Sequence, residues 1–417
     1  MSDFKTSIRE WESRLKRRKP VMAVSKLRGA IRNTLSELDE QWRLHQVVTL
    51  DAVGPPRGRA LFSYRIEGFL THPGDPQLRT HTNYWQSLCM AEILAELGYT
   101  VDVIDYRNMS FQPEKDYALF IDVRHNMERL APRLGKNCLK IFHIDTAHLL
   151  ANNAGEANRL LDLLARRGIN LPSMRHEPPN LGLETADFAT GNVGGFSLST
   201  FRYAGKTIQP LPAPVAHTHD FPVDKNWNQC RNRFVWLGSG GLVHKGLDLT
   251  LEAIAAMPDC HLTVCAPVDN DDGFKRAFYR ELYQMPNIET LGFVEIGGDT
   301  FRRIASESAA LIYPSCSEGL STSTVECMHA GLIPIVTHET GVPTEDFGFE
   351  ISPCTPERIR EIVRDVVCMA PDELRRRSER SWEFARAHHT REKFAVAYRE
   401  AVMRFIDCHQ SGGESPA

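Results

Sequence analysis

The chain has 417 residues and a formal net charge of -4, and its hydrophobic fraction of 42% and charged fraction of 24% are ordinary for a globular protein. This length predicts two domains, and the charge balance excludes a protein that binds polyanions over its whole surface. No apolar run approaches the roughly 18–20 residues that span a bilayer, and the polar first residues lack a secretory signal pattern. We therefore expect a cytoplasmic protein. The ten scattered cysteines form no CxxC pair, which favours reduced core residues and no metal site.

The first 50 residues differ from the rest in charge. Between Met1 and Arg32 there are ten Lys or Arg and three Asp or Glu, a local net charge of +7. Pro20 interrupts this segment, and the residues that follow it predict a helix. Two interpretations stand: a solvated helical arm (residues 1–50), or a basic segment (1–32) that makes the protein peripheral on the inner face of the membrane. A basic arm by itself is weak support for nucleic-acid binding, and we expect no nucleic-acid partner.

Residues 51–215 alternate between predicted strands and helices, which indicates βαβ units and a parallel sheet. Residues 84–98 have apolar side chains at helical spacing and end on Gly98, a helix stop. Residues 169–182 are rich in proline and predict a loop. The strands are predicted at residues 59–66, 99–106, 116–123, 138–146 and 186–193.

The second half repeats this pattern after a proline-rich segment, 207–230, that reads as an interdomain linker. Residues 216–385 predict a second Rossmann-like domain, and 386–417 predict a final amphipathic helix and tail. A break near His388 and His389 separates that helix from the preceding one. We therefore predict an α/β protein with two doubly wound, Rossmann-like domains facing a central cleft.

The most informative stretch runs from a strand ending at Pro314 through a tight loop with Glu318 into a helix that carries Glu326. Ligands of open parallel sheets bind at the carboxyl ends of the strands, where this loop lies. The helix start offers free N–H groups and a positive dipole end suited to a diphosphate. On spacing alone, the two carboxylates either flank one ligand, or Glu318 caps the helix while Glu326 forms a surface pair.

This segment resembles the Glu-x7-Glu motif of retaining glycosyltransferases of the GT-B fold, especially family 4. The segments PSCSEG, VECMHAG, PIVTHETGVP and WLGSGGLVHKGLDLTLEAI extend the resemblance across about 230–350. It is weaker across 59–215 and does not cover residues 1–50. The resemblance implies a metal-independent, hexosyl-type transferase that takes a UDP- or GDP-sugar as co-substrate and needs no cofactor.

The resemblance also implies roles for matching residues. Lys245 would hold the donor diphosphate, Glu318 would contact the donor sugar, and Glu326 would bind the ribose hydroxyls. Backbone N–H groups of Leu320, Ser321 and Thr322 would face the phosphates. Phe293 and Val294 would lie against the base.

One position departs from the family. Gly240 stands where the family usually has an arginine, five residues before Lys245. Two readings are open: the backbone of 238–241, with Gly241, approaches the phosphates instead, or donor binding is weaker or the donor differs.

The first half is expected to hold the acceptor, a carbohydrate or glycolipid. The resemblance implies a histidine near the reacting sugar, and His143 and His148 are the candidates. His148 is preferred because it lies nearer the carboxyl end of its strand. The alternative is a purely structural role, which is the more common role of a lone histidine. The loop with His81 and Asn83 is a second acceptor-side candidate.

The predicted reaction moves a sugar from a nucleotide donor to an acceptor hydroxyl with retention, in polysaccharide, glycolipid or other glycoconjugate synthesis. Two alternatives stand beside it. One is a nucleotide-sugar epimerase on the same scaffold, and the other is a non-catalytic binding protein that keeps the fold.

Overall fold

The computed structural model describes residues 39–72, 75 and 82–411. The whole basic segment 1–32, as well as His81, therefore lies outside the described residues. Residues 39–44 are helical, and the body of the protein follows. Within the described ranges, no helix combines the length and the apolar character that crossing a membrane requires.

The first half is built on a seven-stranded sheet in the order β1-β3-β2-β4-β5-β6-β7. Only β1 runs antiparallel to its neighbour, and it lies at the edge. The strands are β1 (Val47–Leu50), β2 (Gly58–Tyr64), β3 (Tyr99–Asp105), β4 (Leu119–Asp122), β5 (Leu139–Ile144), β6 (Phe188–Gly191) and β7 (Ile208–Pro210). The helices are α1 (Glu67–Leu70), α2 (Thr82–Glu96), α3 (Asn126–Leu130), α4 (Leu149–Arg167), α5 (Gly182–Thr185) and α6 (Gly195–Thr200).

The second half is built on a six-stranded parallel sheet in the order β10-β9-β8-β11-β12-β13. Its strands are β8 (Arg233–Leu237), β9 (His261–Cys265), β10 (Ile288–Thr290), β11 (Ala310–Tyr313), β12 (Ile333–Val336) and β13 (Phe349–Glu350). The helices are α7 (Trp227–Cys230), α8 (Leu247–Ala255), α9 (Asp272–Ala277), α10 (Tyr279–Tyr283), α11 (Asp299–Glu307), α12 (Thr322–His329), α13 (Pro356–Cys368), α14 (Pro371–His388) and α15 (Arg391–Gln410). The predicted class, two Rossmann-like α/β domains, is confirmed.

The last helix leaves the second half and packs on the first sheet. Thr390 caps its start by accepting a hydrogen bond from the Lys393 N–H. Phe394, Tyr398 and Phe405 are buried in the core that covers one face of the first sheet. Phe405 stacks on Phe188 of β6, with ring centroids 4.5 Å apart.

Helix α4 makes the opposite crossing. It begins at His148 and ends at Gly168, which has the left-handed φ of 66° that favours glycine at this position. Leu163 is fully buried within the core of the second half. Arg159 donates to the Pro314 carbonyl at 3.0 Å, and Arg166 donates to Asp248 at 2.7 Å. The two halves are therefore joined across the cleft by α4 as well as by the linker.

Candidate active site

In each sheet the strand order reverses at one point, between β2 and β4 in the first and between β8 and β11 in the second. Ligands of open parallel sheets bind outside the carboxyl ends of strands at such points. Residues that follow β2, β4 and β11 line one cavity of about 250 Å³ between the halves. Its walls are Tyr64, Arg65, Asn83, Gln86, Tyr106, Arg124, Asp145, Arg175, Asn192, Pro214, Leu320 and Thr322.

Glu318 lies just after β11 and is held by three groups. Its Oε1 accepts hydrogen bonds from the Tyr313 hydroxyl at 3.0 Å and the Ser315 hydroxyl at 3.1 Å. The same oxygen lies 3.7 Å from Lys245 Nζ. Burial raises the pKa of Glu318, but the charges of Lys245 and Arg175 more than offset it, so the pKa lies below its usual value. Glu318 is therefore a carboxylate at neutral pH.

Lys245 lies on the turn between β8 and α8, and it is buried. Its ammonium sits 5.7 Å from the centre of the Tyr313 ring. Burial lowers the pKa of Lys245, and the charge of Glu318 raises it in part. Gly246 follows with a φ of 72°, and a Cβ there would lie 2.3 Å from the Pro314 carbonyl oxygen. The absence of a side chain at Gly246 lets this turn and the loop after β11 meet.

Glu326 points away from the cavity, into the linker. Its Oε1 accepts the N–H of Ala216, and its Oε2 is buried without a hydrogen-bond partner in the described residues. Burial raises the pKa of Glu326 to about 7. Glu318 and Glu326 thus lie in different surroundings. Glu326 is buried, so it does not form the surface ion pair that its spacing alone allowed.

The start of α12 faces the cavity. Leu320 and Thr322 line it, whereas Ser321 turns inward and caps the helix by accepting the Thr324 N–H at 3.3 Å. The N–H groups of Thr322 and Ser323 have no acceptor in the described part of the chain, as is usual in a first turn. This helix start therefore presents donors to whatever occupies the cavity.

The loop before α12 is also attached to the first half. The Gly319 carbonyl accepts hydrogen bonds from the Gly194 N–H at 3.0 Å and the Ser197 hydroxyl at 2.7 Å. A Cβ at Gly319 would lie 2.6 Å from the Asn192 carbonyl oxygen. Only glycine allows this close approach of two backbones, which fixes Glu318 relative to the first half.

The glycine-rich turn after β8 leaves room for an arginine from the first half. Gly241 has a φ of 82°, and a Cβ there would lie 2.5 Å from Arg175 Cγ. Gly240 has no atom within 4 Å of the position that its Cβ would take. Arg175 belongs to the loop 168–181. Sequence analysis predicted a loop at 169–182 without assigning it a function.

The residues expected at the base differ in exposure. Phe293 is 74% exposed, and Val294 is 7% exposed within the second core. Phe293 therefore offers an open aromatic face, whereas Val294 contributes to packing.

The histidine preferred by sequence analysis lies outside the cavity. His148 caps α4 by accepting the Leu150 N–H at 3.3 Å, and its ring packs on Phe201 and Tyr203. His143 is closer to the cavity, because its Nε2 lies 2.8 Å from the Gln86 amide. Burial lowers the pKa of His143 to about 4, so this imidazole is neutral.

Asn83 lies on the cavity wall, in the first turn of α2 and not in a loop as sequence analysis predicted. Beside it is a charged cluster that sequence analysis did not single out. Arg124 donates to both oxygens of Glu177, at 2.6 and 2.7 Å, and to Asp145 at 3.1 Å. Asp145 directly follows β5 and Arg124 lies two residues after β4, and these positions were the available signal. No cluster of metal-binding side chains is found in the residues that the structure describes.

A family profile described as "Glycosyl transferases group 1" matches residues 231–367. No curated protein matches the chain by sequence. The fold is similar to that of sucrose-phosphate synthase from Thermosynechococcus elongatus, with a TM-score of 0.59, 13% identity and coverage of 84% of this chain and 100% of that one. The matched segment and the two-sheet architecture identify a GT-B glycosyltransferase fold.

Two further structures share this fold. A glycosyltransferase from Rickettsia africae has a TM-score of 0.53 and 11% identity, and the match covers 84% of this chain and 98% of that one. Anabaena HepE, solved with UDP and glucose, has a TM-score of 0.50 and 13% identity, with coverage of 84% and 99%. At these identities the likeness concerns the fold.

Proposed function

We propose that this protein is a retaining hexosyltransferase, since residues 231–367 match the glycosyl transferases group 1 profile and the chain has the GT-B fold. It transfers a sugar from a nucleotide donor to an acceptor hydroxyl. The observation that carries the proposal is the 3.7 Å pair of Lys245 and Glu318. This pair joins the two loops that follow β8 and β11, where an open parallel sheet binds its ligand.

The donor is a UDP- or GDP-sugar. Its diphosphate lies near Lys245 and the start of α12, which supplies unpaired N–H groups and a positive dipole end. Glu318 contacts the sugar, and Phe293 lies near the base. Glu326 binds the ribose once its carboxylate leaves the Ala216 N–H, to which it is hydrogen-bonded in the structure. The complex of HepE with UDP and glucose supports a uridine nucleotide as the first donor to test.

The reaction breaks the bond between the anomeric carbon and the diphosphate oxygen. A bond from the acceptor oxygen forms on the same face of the sugar, and the acceptor proton passes to the departing diphosphate. Lys245 and the N–H groups of α12 stabilise the charge that develops on the leaving group. The position of the cavity between the two halves limits competition from water.

The acceptor lies against the first half and is a carbohydrate or the sugar of a glycolipid. Arg65, Asn83 and Asp145 line that side of the cavity, and such polar groups suit a polyhydroxylated ligand. Contact of the basic segment with a membrane stays a prediction, since that segment lies outside the described residues. A cytoplasmic location likewise remains a proposal.

Incubation with UDP- and GDP-sugars, without an acceptor and then with simple glycosides, tests the function. We expect released nucleoside diphosphate and a sugar product with the anomeric configuration of the donor, read from proton NMR couplings. Glu318→Gln should lower turnover by about 10²-fold or more. A changed sugar on intact donor would indicate an epimerase, and the absence of any nucleotide-sugar binding would indicate a non-catalytic protein.

A further inference from the structure

The second half supplies one cation, Lys245, on the turn after β8. Gly240 stands on the same turn at the position where the resembling family has a second cation, an arginine. The neighbouring Gly241 has no side chain, and the space that its Cβ would fill is occupied by Arg175 Cγ and Cδ, at 2.5 and 2.9 Å from that position. Arg175 lines the same cavity as Leu320 and Thr322. A cation from the first half thus reaches the turn that lacks one of its own.

The backbone of Arg175 is held by buried polar groups. Glu156 is 3% exposed, and its carboxylate accepts the N–H groups of Met174 at 3.0 Å and Arg175 at 2.9 Å. Asn152, 2% exposed, donates to the Arg175 carbonyl at 2.7 Å. Both groups lie on α4, which is itself fixed to the second half. Burying them is costly unless they are hydrogen-bonded, so this loop has a defined position.

Among the described residues, nothing forms a hydrogen bond or ion pair with the side chain of Arg175. The other two cavity arginines are paired: Arg65 with Glu67 at 3.0 Å, and Arg124 with Asp145 and Glu177. Within the part of the chain that the structure describes, no carboxylate pairs with the Arg175 guanidinium. A cation that lines a cavity without an ion pair is available to an anionic ligand.

Arg175 also acts on Lys245 and Glu318, two largely buried charged groups that lie close to it without lining the cavity themselves. Burial lowers the pKa of Lys245, and the charge of Arg175 lowers it further, as a nearby cation does. Glu318 is the carboxylate that faces these two cations. A diphosphate placed between Lys245 and Arg175 would be attracted by both cations.

We infer that Arg175 binds the diphosphate of the donor across the cleft and takes the place of the cation absent at Gly240. The inference rests on the proposed function and adds a binding residue to it. Because Lys245 belongs to the second half and Arg175 to the first, the diphosphate contacts both halves at once. An arginine suits this position because its planar fork can donate two hydrogen bonds to phosphate oxygens.

Calorimetric titration with UDP, UMP and uridine, and with GDP, GMP and guanosine, tests the inference. Arg175→Ala should weaken binding of the nucleoside diphosphate by about 10- to 100-fold and leave nucleoside affinity unchanged. Arg175→Lys should retain part of the affinity. Arg202→Ala, which removes an exposed arginine of the first half away from the cavity, is the matched control and should bind as wild type does.

A second variant moves the cation back to the second half. Gly240 lies in open space and outside the left-handed region, so it accommodates a side chain. Gly240→Arg combined with Arg175→Ala should recover diphosphate affinity, which a merely structural role for Arg175 would not explain. Equal diphosphate affinity in wild type and Arg175→Ala would overturn the inference alone. Failure of wild type to bind either diphosphate would overturn the proposed function as well.

Discussion

Glu318 and Glu326 lie on one loop-and-helix segment, yet their surroundings shift their pKa values in opposite directions. Glu318 faces Lys245 and Arg175, and these charges outweigh the effect of burial. Glu326 is buried against the backbone of the linker, and desolvation raises its pKa to about 7. Glu318 therefore stays ionised at neutral pH, whereas Glu326 gains or loses its proton near pH 7.

The raised pKa of Glu326 predicts a pH dependence of stability. Its pKa is about 7 in the folded chain and about 4.5 when unfolded, so the folded chain binds more protons between these values. The free energy of unfolding should therefore fall as pH rises from about 4.5 to 7. Glu326→Gln should remove a dependence on the order of 3 kcal/mol, measured by urea denaturation at pH 5 and pH 8.

Glu350→Gln, at an exposed position of β13, is the control for this measurement. It should leave the pH dependence of wild type unchanged. If the free energy of unfolding changed with pH by the same amount in wild type and Glu326→Gln, the pKa of Glu326 would not be raised by burial, and the prediction would be wrong.

Individual residues were predictable where a motif fixes them and unpredictable where only tertiary packing does. Lys245 follows β8 and Glu318 follows β11. These strands are parallel neighbours in one sheet, so the loops at their carboxyl ends lie side by side. Arg175 lies in a proline-rich loop whose position depends on buried groups of α4, and nothing local to it signals a site. His148 was preferred over His143 because it lies nearer the end of its strand. Distance from the strand end does not predict side-chain contacts, and it is His143 that contacts Gln86.

At the scale of elements, α4 is the main link between the halves near the site. Arg166 donates to Asp248 at 2.7 Å and to Glu252 at 3.0 Å. Asp248 is fully buried in the first turn of α8, and burial raises its pKa although Arg159 and Arg166 lower it. Removing one arginine would leave this carboxyl poorly compensated.

Arg166→Ala should lower the free energy of unfolding by about 1–3 kcal/mol, because a buried carboxyl loses its hydrogen-bonded partner. Chemical denaturation at pH 7 measures this change. Arg303→Ala breaks an exposed pair with Glu307 and should cost about 0.5 kcal/mol or less. Equal effects of the two substitutions would contradict a structural role for the α4 contact.

The elements themselves were largely predictable, because alternating apolar strands and amphipathic helices are local patterns. The two edge strands of the first sheet were harder. β1 lies within the segment that sequence analysis assigned to a helical extension, and β7 lies within the predicted linker. Each is short and pairs on one side only, so tertiary contacts rather than hydrophobic periodicity define it.

At the scale of the whole molecule, three segments join the halves: the linker, α4 and α15. Helix α15 covers the first sheet, and α4 reaches into the second core. The cavity lies between them with walls from both halves, and its second-half wall is the start of α12. The two sheets were predictable from the repeated βαβ pattern. The closeness of the halves was not, because it depends on glycines such as Gly194 and Gly319 that let backbones touch.

The central claim is that the loops after β8 and β11 form a nucleotide-sugar site through Lys245. Titration calorimetry of wild type, Lys245→Ala and the control Lys275→Ala with UDP- and GDP-sugars tests it most directly. Lys275 is a half-buried lysine that pairs with Asp269 and Asp272, away from the cavity. We expect saturable binding of one donor to wild type and to Lys275→Ala, and affinity at least about tenfold weaker in Lys245→Ala. Undiminished binding by Lys245→Ala, or no binding by wild type, would contradict the account.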